Sequence, residues 1–495
     1  MNLRYFLFLS FILLLMGSQL VSKKSRDGNG GDYIQQMGQQ IPRWMNKYGV
    51  PGVTIALIDN GMISWSEAFG MADLDEEVLM TTKTICRVES ISKSVTARGV
   101  MKLVERGSLS LDDPLVKHIH SWQFPPSDFD VHSITIRQLL AHSSGLSLGT
   151  LGNEYSPNES KPSLRESLSK EVKMVSKPGR VFNYSNTGYH LLELLIEDIT
   201  GHTYSDYMRE EILKPIGMTN ADFEWSENFM TPVPNGHELN GKPVPVYVYS
   251  EKAAGGLFAN VEDVARFVSF GMVGDYYVPE NVLSEKSIHE LYDPVTETAG
   301  VYSLVSEYYG LGHFIETISG GQKAVFGGGQ GHGWMTHFHL LPDTGDGIVI
   351  LTNSSRSWPL IANILSLWSD HNGIDSVGME LIGQAGTAFL ILNIFILMLC
   401  VLITARILYG MYAGRRIFSI DLRKFSLFQY VCLFLSLILA AVLIWIHSQD
   451  YLFLTSIFPG TGEFFIFILW CITLVLLLSM LIRKSYNHTA QIVDS

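Results

Sequence analysis

The chemistry legible in this chain starts in one short stretch, "RVESISKSVTARG" (Arg87–Gly99), where three serines surround a single lysine. A free serine hydroxyl is a poor nucleophile at neutral pH and needs a base within hydrogen-bond reach. Residues three apart share a helix face. Of Ser90, Ser92 and Ser94, only Ser90 has a lysine three positions later, Lys93. For that amine to act as a base it must be partly neutral, which burial or a nearby positive charge would achieve. The same spacing recurs at Ser167–Lys170 within "SLRESLSKEVK", which reads as a solvated helix face.

Two further motifs supply partners. In "PGRVFNYSNTGYHLLELLIEDITG", Tyr184-Ser185-Asn186 precede an amphipathic helix. A Tyr184 phenolate can take the Ser90 proton and return it to a leaving group if Lys93 lowers its pKa, and the Asn186 amide can donate to a substrate carbonyl. The stretch "AVFGGGQGHGW" reads as a glycine-rich strand where another backbone comes close, with amides available for half of an oxyanion hole. His332, His337 and His339 invite a metal reading, but no carboxylate or cysteine joins them nearby, and polar positions on a sheet edge are the better account.

Elements must then bring these residues together. Val53–Ile58 and Met62–Phe69 flank Asp59-Asn60-Gly61, a strong hairpin signal. "WMTHFHLLPDTGDGIVILTN" reads as strand, turn at Pro342–Asp346, and strand Gly347–Thr352. Between these β regions, Thr135–Leu140, Gly188–Thr200 and Val261–Met272 carry apolar residues at helical spacing. Strands from both ends of the domain are expected in one antiparallel sheet, with a helix-rich insertion between them. That is an α+β layout. Asp27–Asp32 reads as a linker, and the domain as residues 31–372.

Taken together and in this order, Ser90-x-x-Lys93, Tyr184-x-Asn186 and a glycine-rich strand near the domain end resemble the penicillin-recognising serine hydrolases. The similarity is to the branch of class C β-lactamases, D-alanyl-D-alanine carboxypeptidases and esterases. "TIRQLLAHSSGL", "ILKPIGM", "AAGGLFANVEDVARF" and "GIVILTN" match it as well, so it spans about residues 35–370. The resemblance implies a β-lactamase/transpeptidase-like fold. It also implies Ser90 as the acylated nucleophile, Lys93 as its partner, Tyr184 as general base and acid, and Asn186 as a substrate-positioning residue. The oxyanion hole would use the Ser90 amide and an amide within 327–334. The family's third motif opens with Lys or His, then any residue, then Gly. Here the alignment falls on Gly327-Gly328-Gly329, without a basic side chain, or alternatively on His332-Gly333. The first is favoured; it removes a donor to a substrate carboxylate and favours esters or amides lacking that group. Gly327, Gly329 and His332 are therefore the substrate-binding candidates beside Asn186. No metal or other cofactor is called for.

The ends of the chain differ from its middle. At 495 residues it is too long for one ordinary core, and its net charge of −13 argues against nucleic acid as a partner. Residues 1–22 have the anatomy of a signal peptide or signal anchor, although Lys23, Lys24 and Arg26 weaken that reading. Ala385–Ala405, Phe425–Ile446 and Phe464–Ile482 are uncharged and each long enough to cross ~30 Å of hydrocarbon. Arg406, Arg415, Arg416, Arg423 and Lys424 lie between the first two, and none lies between the second and third. The positive-inside rule then puts the C-terminus in the cytoplasm and the domain outside. Of four cysteines only Cys86 lies in the exported part, so no disulfide is expected there.

The expected protein is a multi-pass, membrane-anchored hydrolase. It would form an acyl-enzyme on a small-molecule or cell-wall peptide or ester substrate outside the cell, β-lactams included. A non-catalytic ligand-binding sensor or scaffold is the rival reading, since three spans exceed what anchoring needs and a membrane protein partner would account for them.

Overall fold

The computed structural model describes residues 30–150, 153–279, 282–374, 376–421, 423, 425–447 and 453–485; the expected signal segment lies outside them. The first described element is helix α1 (Gly30–Tyr48), so Gly30–Asp32 open a helix rather than belong to a linker. Tyr33, Met37, Ile41 and Met45 recur at helical spacing and are buried, which is why this segment folds onto the domain.

β1 (Gly52–Asp59) and β2 (Met62–Asp73) form the hairpin expected from Asn60-Gly61, both of which take positive φ (52° and 74°). β1 then pairs antiparallel with β9 (Asp346–Thr352), Ile55 opposite Ile350, so the two ends of the domain share one sheet. Its nine strands run in the order β3-β2-β1-β9-β8-β7-β6-β5-β4. Here β3 is Val78–Leu79, β4 Thr296–Glu297, β5 Tyr308–Tyr309, β6 Phe314–Thr317, β7 Lys323–Gly331 and β8 Trp334–Leu341.

The central strands are buried on both faces, and alternate residues feed two cores. Ile55, Leu57, Ile348 and Ile350 pack against α1 and the helix α5 (Trp358–Asn372). Ala56, Ile58, Val349 and Leu351 face the helical insertion. That insertion holds α2 (Ile91–Glu105), α3 (Asn186–Thr200) and α4 (Val261–Ser269). The last stops at Ser269, short of the expected Met272; Phe270 caps it, and Gly271 follows. Ser167 is buried in the helix Leu164–Glu171, not solvated as its polar surroundings suggested.

Beyond the domain, three helices are long and apolar enough to cross a membrane: Gly378–Tyr412, Leu427–His447 and Thr461–Leu481. Polar side chains tie them together. Asn393 donates to the Thr461 carbonyl (3.2 Å) and Gln429 to the Met480 carbonyl (2.7 Å). One end of the bundle meets the domain, where Ser456 donates to the Ser355 carbonyl (3.2 Å) and Arg356 lies 3.8 Å from Glu463. At the other end the arginine-bearing strand Arg416–Phe418 pairs with Ile482–Lys484.

Candidate active site

A serine at a helix start ordinarily accepts from the amides of the first turn. Ser90 holds that position ahead of α2 but makes no side-chain cap. Its Oγ instead receives the Lys93 Nζ at 3.0 Å, across the turn the spacing demanded. Lys93 is buried, and its other bond goes to the Ala254 carbonyl (2.7 Å). Burial pulls the amine down to about 7, against the opposing pull of the Glu89 carboxylate. A substantial neutral fraction is thus present near neutrality, as a base requires.

The other hydroxyls of the opening stretch build the walls. Ser92 accepts from the Leu257 amide (3.0 Å), and Thr96 donates to the Ala253 carbonyl (2.9 Å). Both fasten the loop whose Ala254 holds Lys93. Ser94 donates to the Gly312 carbonyl (2.6 Å), fixing the turn ahead of β6. Glu193 of α3 secures the same loop by accepting from the amides of Lys252 (2.6 Å) and Ala253 (2.8 Å). Burial pushes its carboxyl up to about 8. A neutral amide then mimics the protonated acid: Glu193→Gln is expected to keep kcat/KM within about threefold at pH 7. Glu193→Ala strands two amides, costs ~1–3 kcal/mol and lowers kcat/KM about tenfold, read by ester hydrolysis and thermal unfolding.

Tyr184 lies just before α3. Its phenol lies close enough to Ser90 for that hydroxyl to favour the phenolate, and its ring lies 5.0 Å from Lys93 Nζ. His142 (4.1 Å), Tyr302 (5.1 Å) and Phe314 (6.4 Å) enclose it. Burial, with Tyr309 and Tyr302 adding to it, raises its pKa well above the usual phenol value, while the Ser90 hydroxyl opposes this. The expectation that Lys93 would lower it is therefore not met, because burial disfavours the phenolate and Tyr309 and Tyr302 add to it. Ser185, not Asn186, caps α3 by accepting from the Gly188 amide (3.0 Å). Asn186 is left to donate to the Thr150 carbonyl (3.1 Å), its buried Oδ1 without a partner among the described residues.

Gly327 and Gly329 on β7 face the start of α2. A β-carbon at Gly329 would collide with the Val88 carbonyl and the Thr336 hydroxyl, and one at Gly327 would come within 3.2 Å of Ser94 Oγ. β6 pairs with β7 only from Lys323 to Phe326. Among the described residues no strand covers that edge from Gly327 to Gly331, so backbone groups beside Ser90 remain open for a ligand. His332 sits apart, in the β7–β8 turn, with Glu154 (3.0 Å) and Glu238 (3.4 Å) on its two ring nitrogens. His337 and His339 are not edge positions: they are buried on β8, which is paired on both sides, and the Glu316 carboxylate does join them, 3.2 Å from His339 Nε2; among the described residues no group of three or more His, Cys, Asp or Glu suits a metal ion.

A half-buried serine bonded to a buried lysine at a helix start, a tyrosine from the helical insertion and an open glycine edge make an arrangement of the serine-hydrolase type. The chain belongs to the β-lactamase family, whose sequence profile matches residues 32–364. Protein flp of Staphylococcus aureus (strain MRSA252) is 25% identical over 436 residues, 86% of this chain and 84% of flp. The octameric penicillin-binding protein homologue from Pyrococcus abyssi superposes with a TM-score of 0.58 at 28% identity, covering 68% of this chain and 77% of that one. The β-lactamase/D-alanine carboxypeptidase from Yersinia pestis shares the fold, with a TM-score of 0.55 at 22% identity over 66% of this chain and 94% of that one.

Sequence reasoning passed over Glu89, Glu193 and the aromatic cage. Glu89 was visible between Val88 and Ser90, but nothing local signals its positive φ (51°). Glu193 lies on an amphipathic helix where a charge ordinarily faces water.

Proposed function

We propose that this protein is a membrane-anchored serine hydrolase with its domain on the non-cytoplasmic side, cleaving an ester or amide through an acyl-enzyme. The observation that carries the reading is the 3.0 Å contact between Lys93 and Ser90, with the amine drawn down to about 7. The neutral amine takes the Ser90 proton as Oγ bonds to the substrate carbonyl carbon. The tetrahedral oxyanion would be met by the Ser90 amide and an amide of the open β7 edge. The bond to the leaving group then breaks, and Tyr184, held as a neutral phenol, passes it a proton while drawing one from Lys93. Water reverses the sequence and releases a carboxylic acid. The proposed topology is supported by a bundle end that meets the domain without contributing a Lys or Arg, Glu463 being its charge there, and by the arginines at the other end. With no basic side chain at Gly327 to Gly329, the best substrates lack a carboxylate next to the scissile bond.

A fluorophosphonate probe tests this. Labelling of the full chain that vanishes in Ser90→Ala supports the hydrolase. No labelling of the parent at pH 6–9 leaves the sensor or scaffold. The role of Tyr184 has its own signature. Tyr184→Phe is expected to cost less than tenfold on a p-nitrophenyl ester, whose leaving group needs no proton. On the matching amide, general-acid loss should cost about 10²-fold. Equal losses on both would take the phenol out of the leaving-group step.

A further inference from the structure

The wall of the pocket and the first candidate membrane span meet across one short segment. Residues Gly300–Leu304 form a 3-10 helix ahead of β5. Near one end, Tyr302 stacks on Tyr184 at 5.1 Å. At the other, Val305 donates its amide to the Tyr302 carbonyl (3.1 Å), and its own carbonyl packs so tightly on Gly378 that a β-carbon there would collide. Gly378 opens the 35-residue span and is held by Glu316 of β6, which accepts its amide at 2.7 Å. The ring beside the nucleophile is thus three residues from Val305, which touches the start of a candidate membrane span.

Depth follows from the same helix. Arg406 marks the far boundary of its uncharged stretch. Counting back ~20 residues for ~30 Å of hydrocarbon leaves Gly378 roughly 12 Å outside it, about 5 Å above a headgroup layer of ~5–8 Å and within a side chain's reach of it. Near the cage that holds Tyr184 the chain exposes aliphatic side chains: Leu304 (67% exposed), Leu148 (51%), Val301 (50%) and Val181 (49%). Each is tied to the site. The Leu148 carbonyl accepts from the Asn186 amide (2.8 Å), Val181 precedes Phe182, whose ring meets Tyr302 at 5.7 Å, and Val301 and Leu304 flank Tyr302. Four exposed aliphatics next to the residues of the site, with Leu304 adjoining the Val305 that packs on Gly378, are the pattern of a surface that meets apolar chains.

We propose that the site opens onto the bilayer surface and that its substrate is a membrane-anchored amphiphile, an ester or amide whose apolar chain stays in the lipid while its carbonyl reaches Ser90. This rests on the hydrolase reading for its chemistry but not for its geometry, and the two are tested separately. The full chain is reconstituted in phosphatidylcholine vesicles. Leu304→Cys, in a Cys471→Ser background, is labelled with nitrobenzoxadiazole; Met62→Cys on the β1–β2 turn serves as control. Lipid carrying a nitroxide on its headgroup is expected to quench the Leu304 label at least threefold more than the Met62 label. Equal quenching overturns the placement whether or not the protein is an enzyme. For the substrate, Val301→Asp/Leu304→Asp is expected to leave kcat/KM for soluble p-nitrophenyl acetate within twofold. The same variant should lower it at least tenfold for vesicle-embedded p-nitrophenyl palmitate. An unchanged ratio between the two esters overturns the substrate class. A parent that hydrolyses neither ester and takes no fluorophosphonate refutes the hydrolase reading, and quenching alone then decides where the mouth lies.

Discussion

Replacing Lys93 with methionine is expected to lower acylation about 10³-fold and yet make the protein harder to unfold at pH 6. Methionine fills a similar volume without a charge. The lysine amine has a pKa of 10.5 when exposed and about 7 in the fold, drawn down by burial. Between those values the unfolded chain binds the extra proton, so the parent gains stability as pH rises from 7 toward 10.5 and carries the full penalty below 7. At ~1.4 kcal/mol per unit that penalty is several kcal/mol. The variant escapes it but strands the Ala254 carbonyl, at a cost of ~1–3 kcal/mol. The net expectation is a gain of about 2 kcal/mol at pH 6 and near parity at pH 9. Thermal unfolding of the full chain in detergent at both pH values reads the difference. A variant less stable than the parent at pH 6, or a gap that does not change with pH, would mean that the amine is not held neutral by burial. Fluorophosphonate labelling of the parent should climb through about pH 7 and then level off, with no such rise in the variant.

The residues legible in the sequence are those whose signal is local. Ser90 and Lys93 are one helical turn apart, and the turn at Asn60-Gly61 needs only two residues to declare itself. The sheet was legible because apolar runs such as Ile55–Ile58 and Ile348–Leu351 have to be buried somewhere. What escaped were partnerships made across more than a hundred residues. Lys93 finds the carbonyl of Ala254, and Glu89 finds the phenols of Tyr247 and Tyr249. The pKa of Tyr184 was misjudged for the same reason. The nearby lysine could be inferred from the motif, but Tyr302 and Phe314 arrive from strands and turns with no sequence link to it. The third motif was read at Gly327–Gly329 or His332-Gly333, and packing does not choose between them, since a β-carbon at Gly329, Gly331 or Gly333 would collide alike.

The turn that presents Ser90 is also where a large effect on stability is expected. Arg87 and Glu89 form a buried ion pair at 2.8 Å. Burial opposes the guanidinium charge, but Glu89, Tyr247 and Tyr249 outweigh it, and its pKa rises. The guanidinium carbon lies 4.1 Å from the Tyr247 ring and 4.5 Å from that of Tyr249, and its remaining nitrogens donate to the carbonyls of Tyr247 (2.7 Å) and Gly255 (3.3 Å). The two phenols complete the carboxylate. This network holds Glu89 at positive φ next to Ser90, a conformation that costs a side-chain-bearing residue ~1–2 kcal/mol. Glu89→Leu keeps the strain and leaves the arginine buried without its counter-charge, so a loss of about 3–5 kcal/mol is expected. Glu89→Gly also loses the pair but relieves the strain, and should sit about 1 kcal/mol above the leucine variant. Arg87→Met/Glu89→Leu removes both charges and should recover most of the stability, since an apolar pair of similar volume is often as stable as a buried ion pair. Its fluorophosphonate labelling should nevertheless stay at least tenfold below the parent, because nothing then fixes the turn against the phenols. A double variant no more stable than Glu89→Leu would show that the stranded charge is not the source of the loss. One that labels at the parental rate would show that the pair serves the fold and not the placement of Ser90.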